Sequence, residues 1–331
     1  MLKKRILTVV KFLIFLGLGI FIILWMAKGI DDKGWQQIRL SISKAHYLLF
    51  IPVFSLLLLS HYLRALRWKM LMKPLGYQPD TFNVFNAVMV GYMANLAFPR
   101  LGEVLKCTLL ARYEKTSPDK LVGTIVAERA VDLICLILVI LLTILLQVDI
   151  VGQYAWFLLD QFVSNAKGNT PLLIIGFVLF IFMLWVLFRW IKKNPDNRLL
   201  QKTGNLVRGI FAGLISIRHV KNKPRFILYS IAIWVLYYAG TRIGFYALEE
   251  VAHLGLHEAL SILSFGSIGM IVTQGGLGAY QYAVQETLAL YQIDKVIGFT
   301  YGWLLWIAQT LVLLLGGLFS MIVLPIYNRN K

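Results

Sequence analysis

Long apolar segments recur along almost the whole chain and divide it into pieces of membrane length. Several approach 20 residues, about the length at which a helix crosses ~30 Å of hydrocarbon. Their apolar residues are continuous, whereas the strands of a membrane β-barrel alternate apolar and polar residues. Of the 331 residues, 59% are hydrophobic and only 15% are charged, which excludes a water-soluble enzyme. The sequence therefore predicts an all-α polytopic membrane protein.

Six of these segments are long enough for full transmembrane helices. They cover residues 12–27, 47–63, 121–147, 171–191, 226–248 and 297–324. Basic residues precede the first segment, as in a signal peptide, but no small-residue cleavage site follows it. We therefore expect the first segment to be a retained membrane anchor.

The lysines and arginines are distributed unequally between the connecting loops. With a cytoplasmic N-terminus, most of the 33 basic residues fall on the cytoplasmic side, as the positive-inside rule requires. The sequence thus predicts a multi-pass protein of the inner (plasma) membrane with both termini in the cytoplasm. The net charge of +17 then reflects topology and contact with the anionic inner leaflet, and it does not imply a nucleic-acid partner. Residues 35–47 are expected to form an amphipathic helix on the outer face.

Two further apolar segments, 82–117 and 259–292, do not have the pattern of simple spans. The flanks of the first are both basic, and those of the second are both acidic, so each segment enters and leaves on one side. The second arm of the first segment, 104–111, and the first arm of the second, 259–273, are also too short to span a bilayer. We interpret both segments as re-entrant helical hairpins that enter from opposite sides.

The order of these elements is the same in the two halves of the chain. Two spans, a hairpin and a span occur in residues 1–148 and again in residues 149–331, with opposite starting sides. This predicts a single integral membrane domain built as an inverted repeat, in which interrupted segments at corresponding positions mark the substrate site. No residue-level repeat accompanies the pattern, so coincidence in the hydropathy is the alternative.

The turn of the first predicted hairpin contains polar and helix-breaking residues. Pro99 ends the helix of the first arm, and Gly102 allows the backbone to turn. The unpaired N–H groups at the start of the second helix then point into the turn. Non-helical backbone at membrane depth must line protein or a wet cavity. With Arg100 alongside, the turn is a candidate phosphate-binding site. Asn95 and Glu103 are further candidate residues of this site. The alternative is that Arg100 and Glu103 only pair with each other.

The turn of the second predicted hairpin contains Gly275, Gly276 and Gly278. Glycines in this density permit an anion-holding nest or a close approach of two backbones. The arm that follows carries polar side chains that lipid would not tolerate, and these are candidates for cavity-lining or coupling roles. They are Gln281, Gln285 and Glu286.

Three ionisable residues lie within the predicted span 121–147. If its helix begins at Ser117 and Pro118, Glu128 lies about 15 Å along the helix, below the headgroups. Glu128 and Asp132 share one helical face, and Arg129 lies between them in sequence. They are either ligands for a headgroup or a proton, or a structural triad that ties this helix to the first hairpin.

A basic and aromatic cluster ends the predicted span 47–63. Arg64, Arg67, Trp68 and Lys69 together favour an anchor at the inner membrane boundary over a binding site.

Several of these motifs resemble the transmembrane region of lysylphosphatidylglycerol synthases, also called the flippase-like domain family. The resembling motifs are Arg64-x-x-Arg67-Trp68, Gly91-x-x-x-Asn95, Pro99-Arg100-x-Gly102-Glu103, Glu128-Arg129-x-x-Asp132 and Gly275-Gly276-x-Gly278. The resemblance implies an integral inner-membrane protein that moves modified phospholipids or lipid-linked sugars between leaflets. Family members usually have Pro and Glu where this chain has Gln274 and Gln281, and the aminoacyl-transferase domain of bifunctional synthases is not expected here.

The sequence as a whole favours a transporter-like protein over an enzyme. We predict flippase-like translocation of a phospholipid or lipid-linked amphiphile with a phosphate-bearing headgroup, through a polar cavity between the two hairpins. The alternatives are an intramembrane lipid-modifying transferase and a scaffold for a separately encoded lipid-modifying enzyme. No ATP-binding loop occurs, and no cofactor or metal is predicted. The headgroup-binding candidates are Asn95, Arg100, Glu103, Glu128, Arg129, Asp132, Gly275, Gly276 and Gly278.

Overall fold

The computed structural model describes residues 2–98, 101–148, 150 and 220–329. Within these residues the chain forms ten α-helices and several short 3-10 turns, with no strand. The helices, numbered in chain order, are α1 Leu2–Lys28, α2 Asp32–Lys44, α3 Phe50–Met72, α4 Thr81–Ala97, α5 Leu101–Glu114, α6 Pro118–Leu146, α7 Lys223–Gly244, α8 Leu256–Val272, α9 Ala279–Leu290 and α10 Lys295–Tyr327.

Four helical segments are long and apolar enough to cross a membrane. They are Tyr47–Leu75, Lys120–Leu146, Lys223–Ala247 and Lys295–Tyr327. These segments confirm the predicted all-helical polytopic class, and each overlaps a predicted span. The predicted span 171–191 lies outside the described residues, so the total of six spans stays a prediction.

The start of the chain forms a sharply bent pair of helices. Residues Leu13–Lys28 of α1 meet α2 at an angle of 108°, and only together do they pass as a further candidate span. Asp31 caps α2 by accepting a hydrogen bond of 2.8 Å from the Gly34 amide. Ile38 of α2 packs against α1 and α10. Helix α2 also covers most of the segment 35–47, for which the sequence predicts an amphipathic helix.

Helix starts elsewhere follow local sequence signals. Asp80 accepts a hydrogen bond from the Phe82 amide at the start of α4, and Asp294 does the same for Val296 at the start of α10. Helix α6 begins at Pro118, as the sequence predicted, because proline is well suited to the first turn.

Helices α4 and α5 form an antiparallel hairpin whose arms touch through glycine. The backbones of Gly91 and Gly102 lie so close that a Cβ atom on Gly102 would collide with the Gly91 carbonyl oxygen. Helices α8 and α9 form a second hairpin, in which a Cβ on Gly269 would lie 2.6 Å from the Ala279 carbonyl oxygen. Helical hairpins therefore occupy both predicted positions, while their re-entrant insertion stays a prediction.

Of the clusters of buried side chains among the described residues, the two largest surround one hairpin each. The first joins α3, α4, α5 and α6 around Trp68, and the second joins α8, α9 and α10 around Tyr301. Helix lengths also correspond in order: α3 with α7, α4 with α8, α5 with α9, and α6 with α10. The inverted repeat remains a prediction, because residues 151–219 lie outside the described part.

Candidate functional site

A cavity of about 540 Å³ lies between the two groups of helices. Helices α3, α4 and α6 line one side, and α7, α8, α9 and α10 line the other. Most of the wall is apolar, with Leu57, Leu136 and Met270 among its residues. One group of lining residues is polar or charged and mutually in contact, which gives the cavity an amphipathic character. This group consists of His61, Arg64, Tyr92, Arg129, Asp132 and Tyr237.

Asp132 of α6 lies at the centre of the charged group. Arg64 donates a hydrogen bond of 2.6 Å to its Oδ2 atom, and Arg67 donates one of 2.5 Å to its Oδ1 atom. The two arginines lie three residues apart on α3, so one helical face presents both of them to α6. The Nη1 atom of Arg129 is 3.6 Å from Oδ2, so a third cation shares the same carboxylate.

A second ion pair joins α5 to α6 in the interior. The Lys106 ammonium donates to Glu128 Oε2 over 2.7 Å, and the two side chains are only 2% and 1% exposed. The ammonium also lies 4.4 Å from the centre of the Trp68 ring, a cation–π geometry. Glu128 Oε1 accepts no hydrogen bond and lies 4.0 Å from Arg64 Nη1, which links the two ion pairs.

The third ion pair is the most accessible one of this group. Arg129 Nε donates to Glu103 Oε1 over 3.1 Å, and the two side chains are 38% and 32% exposed. Arg129 lines the cavity, whereas Glu103 approaches it from the first turn of α5 and is not among the lining residues. Solvent and ligands can therefore reach this pair more easily than the other two.

Aromatic side chains fix the orientation of Arg64. Its Nε donates to the Tyr237 hydroxyl over 3.0 Å, and its Nη1 donates to the Tyr92 hydroxyl over 3.2 Å. The guanidinium carbon also lies within 6 Å of both ring centres, and the His61 ring stacks at a tilt on Tyr92. Tyr237 belongs to α7, so Arg64 connects the helices on the two sides of the cavity.

The charges of this cluster do not cancel. With ordinary ionisation, four basic and three acidic side chains leave one positive charge in excess. They are Arg64, Arg67, Lys106 and Arg129 on the basic side, and Glu103, Glu128 and Asp132 on the acidic side. Charged groups inside a membrane protein are costly unless paired, so the excess favours binding of an anion. In the described ranges, no group of three or more His, Cys, Asp or Glu side chains could hold a metal ion.

The turn of the first hairpin is described only in part. Asn95 accepts a hydrogen bond of 2.8 Å from the Gly102 amide, so its side chain satisfies a free N–H group at the start of α5. Arg100, the central residue of the predicted phosphate-binding site, and Pro99 lie outside the described residues. The predicted pairing of Arg100 with Glu103 therefore stays a prediction. Among the described residues, Glu103 accepts a hydrogen bond from Arg129.

The turn of the second hairpin contains three glycines with left-handed backbone angles. Gly275, Gly276 and Gly278 have φ values of 61°, 74° and 80°, which disfavour residues with a side chain. Gln281 is fully buried, and its Oε1 atom accepts a hydrogen bond of 2.8 Å from the Gly278 amide. None of these four residues lines the cavity in the part of the chain that the structure describes.

The remaining predicted residues of the second hairpin lie at its far end. Gln285 donates a hydrogen bond to Glu286, and Glu286 forms an ion pair of 3.0 Å with Lys295 at the start of α10. The structure therefore brings Glu103, Glu128, Arg129 and Asp132 together and places Gln285 and Glu286 apart from them.

Sequence reasoning missed three basic residues of the cluster. They are Arg64, Arg67 and Lys106. Arg64, Arg67 and the neighbouring Trp68 are buried inside the protein, so the interpretation of this segment as a membrane-boundary anchor is wrong. Lys106 attracted no functional interpretation, although a lysine inside a short apolar arm was a signal for a buried acidic partner. The three-residue spacing of Arg64 and Arg67 also indicated a buried acidic partner, because it places two cations on one face of α3.

Comparison with known proteins identifies the family of the chain. The model of the lysylphosphatidylglycerol synthase transmembrane region matches residues 8–317, which include every residue of the charged cluster. No curated protein and no solved structure matches the chain. With its candidate spans and this match over nearly the whole length, the chain is a multi-pass membrane protein that belongs to the family of the lysylphosphatidylglycerol synthase transmembrane region.

Proposed function

We propose that this protein moves an amphiphile with a phosphate-bearing headgroup, a phospholipid or a lipid-linked compound, between the two leaflets of the inner membrane. The amphipathic cavity carries the proposal: an apolar wall continues into a charged cluster with one positive charge in excess. A charge costs several kcal/mol or more to carry unaided through hydrocarbon. A cavity that binds the headgroup lowers this cost, and the membrane family supports a lipid-related role.

Arg129 is the residue that we assign to the headgroup. It lines the cavity and is the most exposed cation of the cluster. Its closest ion-pair partner is Glu103, at 3.1 Å, while Asp132 lies 3.6 Å away. A phosphate that enters the cavity replaces Glu103 as the partner of Arg129. The ion pairs of Asp132 with Arg64 and Arg67, and of Lys106 with Glu128, stay in place because their side chains are at most 14% exposed, against 38% for Arg129.

The acyl chains need no polar path in this mechanism. Leu133 of α6 and Ile271 of α8 line the cavity and are also exposed on the surface of the molecule. This supports access to the cavity from the lipid phase, with the tails remaining in lipid. We also propose that both termini lie in the cytoplasm.

The proposal is tested by lipid movement in liposomes that contain only the purified protein. A fluorescent phosphatidylglycerol in one leaflet is quenched by a membrane-impermeant reductant, and the rate of further quenching reports its movement. We expect Arg129→Gln to lose most of this rate. Arg225→Gln, which removes an exposed arginine at the start of α7, is the matched control and should keep it.

The same preparation distinguishes the other two interpretations. A covalently altered lipid, detected by mass spectrometry after incubation, would favour a transferase that uses Glu103, Glu128 or Asp132 as a base. Absence of movement with the wild-type protein would favour a scaffold for a separate lipid-modifying enzyme. Equal rates for Arg129→Gln and Arg225→Gln would contradict the assigned role of Arg129.

A further inference from the structure

His61 of α3 lines the cavity with an unpaired ring nitrogen. The residue is only 8% exposed, and its Nδ1 atom is buried with no hydrogen-bond partner in the described part of the chain. A buried polar atom without a partner is costly, so such atoms are rare in folded proteins. Neither the ion pairs of the cluster nor the proposed phosphate contact uses this nitrogen. It is therefore available to a group that enters the cavity.

His61 lies close to Arg129, the residue that we assign to the phosphate. The centre of the His61 ring is 5.1 Å from the centre of the Tyr92 ring, and the guanidinium carbon of Arg129 is 5.9 Å from that same centre. All three side chains line the cavity. A headgroup whose phosphate is bound to Arg129 can therefore reach His61 with the atoms that follow the phosphate.

The surroundings of His61 favour a neutral partner over a cationic one. Arg64 lies about one turn further along α3, and it repels an ammonium group, as Arg129 does. The carboxylate of Asp132, which would attract an ammonium group, is already shared by three arginines. An alkyl group would leave Nδ1 unpaired. A hydroxyl group is neutral and both donates and accepts, so it can bind Nδ1 in either tautomer of the imidazole.

Two tyrosine hydroxyls on the cavity wall can complete the hydrogen bonding of such a group. Tyr92 and Tyr237 each accept a hydrogen bond from Arg64, over 3.2 Å and 3.0 Å. Within the described residues, neither tyrosine has an acceptor for its own hydroxyl hydrogen. A hydroxyl group that binds His61 keeps a lone pair and can accept from one of these tyrosines.

We propose that His61 selects a headgroup that carries a hydroxyl group close to its phosphate, as glycerol and inositol headgroups do. The inference rests on the proposed lipid movement and adds to it the chemical class of the headgroup. Arg129 binds the phosphate, which all phospholipids share, whereas His61 binds a group that only some of them carry.

Two phospholipids of equal charge and similar size test this selection. Phosphatidylglycerol and phosphatidylpropanol differ only in the two hydroxyl groups of the headgroup, and both carry the fluorophore on an acyl chain. In liposomes with the wild-type protein, we expect phosphatidylglycerol to move about two- to tenfold faster, which is the effect of one hydrogen bond.

Substitutions of His61 show whether this residue causes the preference. His61→Phe keeps an aromatic ring against Tyr92 but removes the nitrogen, so it should abolish the difference between the two lipids. His61→Asn restores a polar group and should keep most of the difference. His253→Phe, at an exposed site outside the cavity, is the matched control and should keep the wild-type ratio. Equal slowing of both lipids by His61→Phe would place the nitrogen on the phosphate and overturn the selection.

Phosphatidylinositol in the same liposomes distinguishes a ring of hydroxyl groups from glycerol. A preference over phosphatidylpropanol that depends on His61 is expected for at least one of the two headgroups, and the faster lipid identifies the source of the hydroxyl group. Its absence for both would overturn the proposal.

Binding separates this inference from the proposed movement. Short-chain phosphatidylglycerol and phosphatidylpropanol are titrated against the purified protein in detergent by calorimetry, and the ratio of their Kd values should show the same dependence on His61. Equal ratios for the wild type and His61→Phe would overturn the role of His61 even if the protein moves lipid. A wild-type protein that prefers phosphatidylglycerol in binding but moves neither lipid would instead reject the proposed function alone.

Discussion

The two hairpins share a packing design but differ in chemistry. In α4 and α5, Glu103 and Lys106 form ion pairs with α6, whereas the corresponding second hairpin uses neutral groups such as Gln281 and Tyr280. Both hairpins bring their arms together through glycine. The difference indicates that, among the described residues, the first half holds the buried ion pairs, whereas the ion pair of the second half, Glu286 with Lys295, is more exposed.

The largest expected effect concerns the buried charges of the first half. Lys106→Met leaves Glu128 buried without its ion-pair partner, which should lower the free energy of unfolding by about 3–5 kcal/mol. Lys295→Met breaks the exposed pair with Glu286 in the second half and should cost less than about 1 kcal/mol. Denaturant unfolding of the purified protein in detergent measures both.

Joint replacement provides the control for this prediction. The double variant Lys106→Met with Glu128→Gln should recover part of the loss, because no unpaired charge remains buried. If Lys106→Met and Lys295→Met destabilise equally, the contrast between the two halves is not one of buried charge.

Glycine substitutions test what the hairpins have in common. Gly102→Ala and Gly269→Ala each force an extra methyl group against a backbone and should destabilise by about 1–3 kcal/mol, with Gly102→Ala the larger. Gly123→Ala is the control on α6, because a Cβ there meets no atom within 4 Å. Thermal unfolding compares the three, and a loss confined to the first hairpin would show that the packing is not shared.

A new charge in the second half tests its neutrality. Gln281→Glu keeps the acceptor for the Gly278 amide but buries a carboxylate, so we expect a loss of about 1–3 kcal/mol at neutral pH. The loss should shrink in acid, where the carboxyl group becomes protonated. Gln292→Glu, at an exposed site, should show neither effect in the same unfolding assay. A fully stable Gln281→Glu protein would mean that the second half tolerates charge.

The smallest effect is expected at the turn of the first hairpin. Asn95→Ala removes the side-chain acceptor for the Gly102 amide and should lower the unfolding free energy by about 1 kcal/mol. Thermal unfolding of the purified protein in detergent measures this loss, with Gly123→Ala as the control that should be unchanged. A loss as large as that of Lys106→Met would show that Asn95 does more than cap α5.

Sequence alone predicted the four long apolar helices and the glycine turn of the second hairpin, because these depend on local properties. An apolar run sets the length of a helix, and Gly275 and Gly276 mark a turn that few other residues could form. The pairing of Arg64 and Arg67 with Asp132 was not predicted, because it depends on how α3 packs against α6. The hydrogen bond from the Gln274 side chain to the Asn95 carbonyl was missed for the same reason, since 179 residues separate the two in sequence.

Mass spectrometry of lipid that co-purifies with the protein tests the central claim most directly. If Arg129 binds a phosphate headgroup, the wild type and Arg225→Gln should retain the same phospholipid, and Arg129→Gln should lose most of it. Equal phospholipid content in all three proteins would contradict headgroup binding at Arg129.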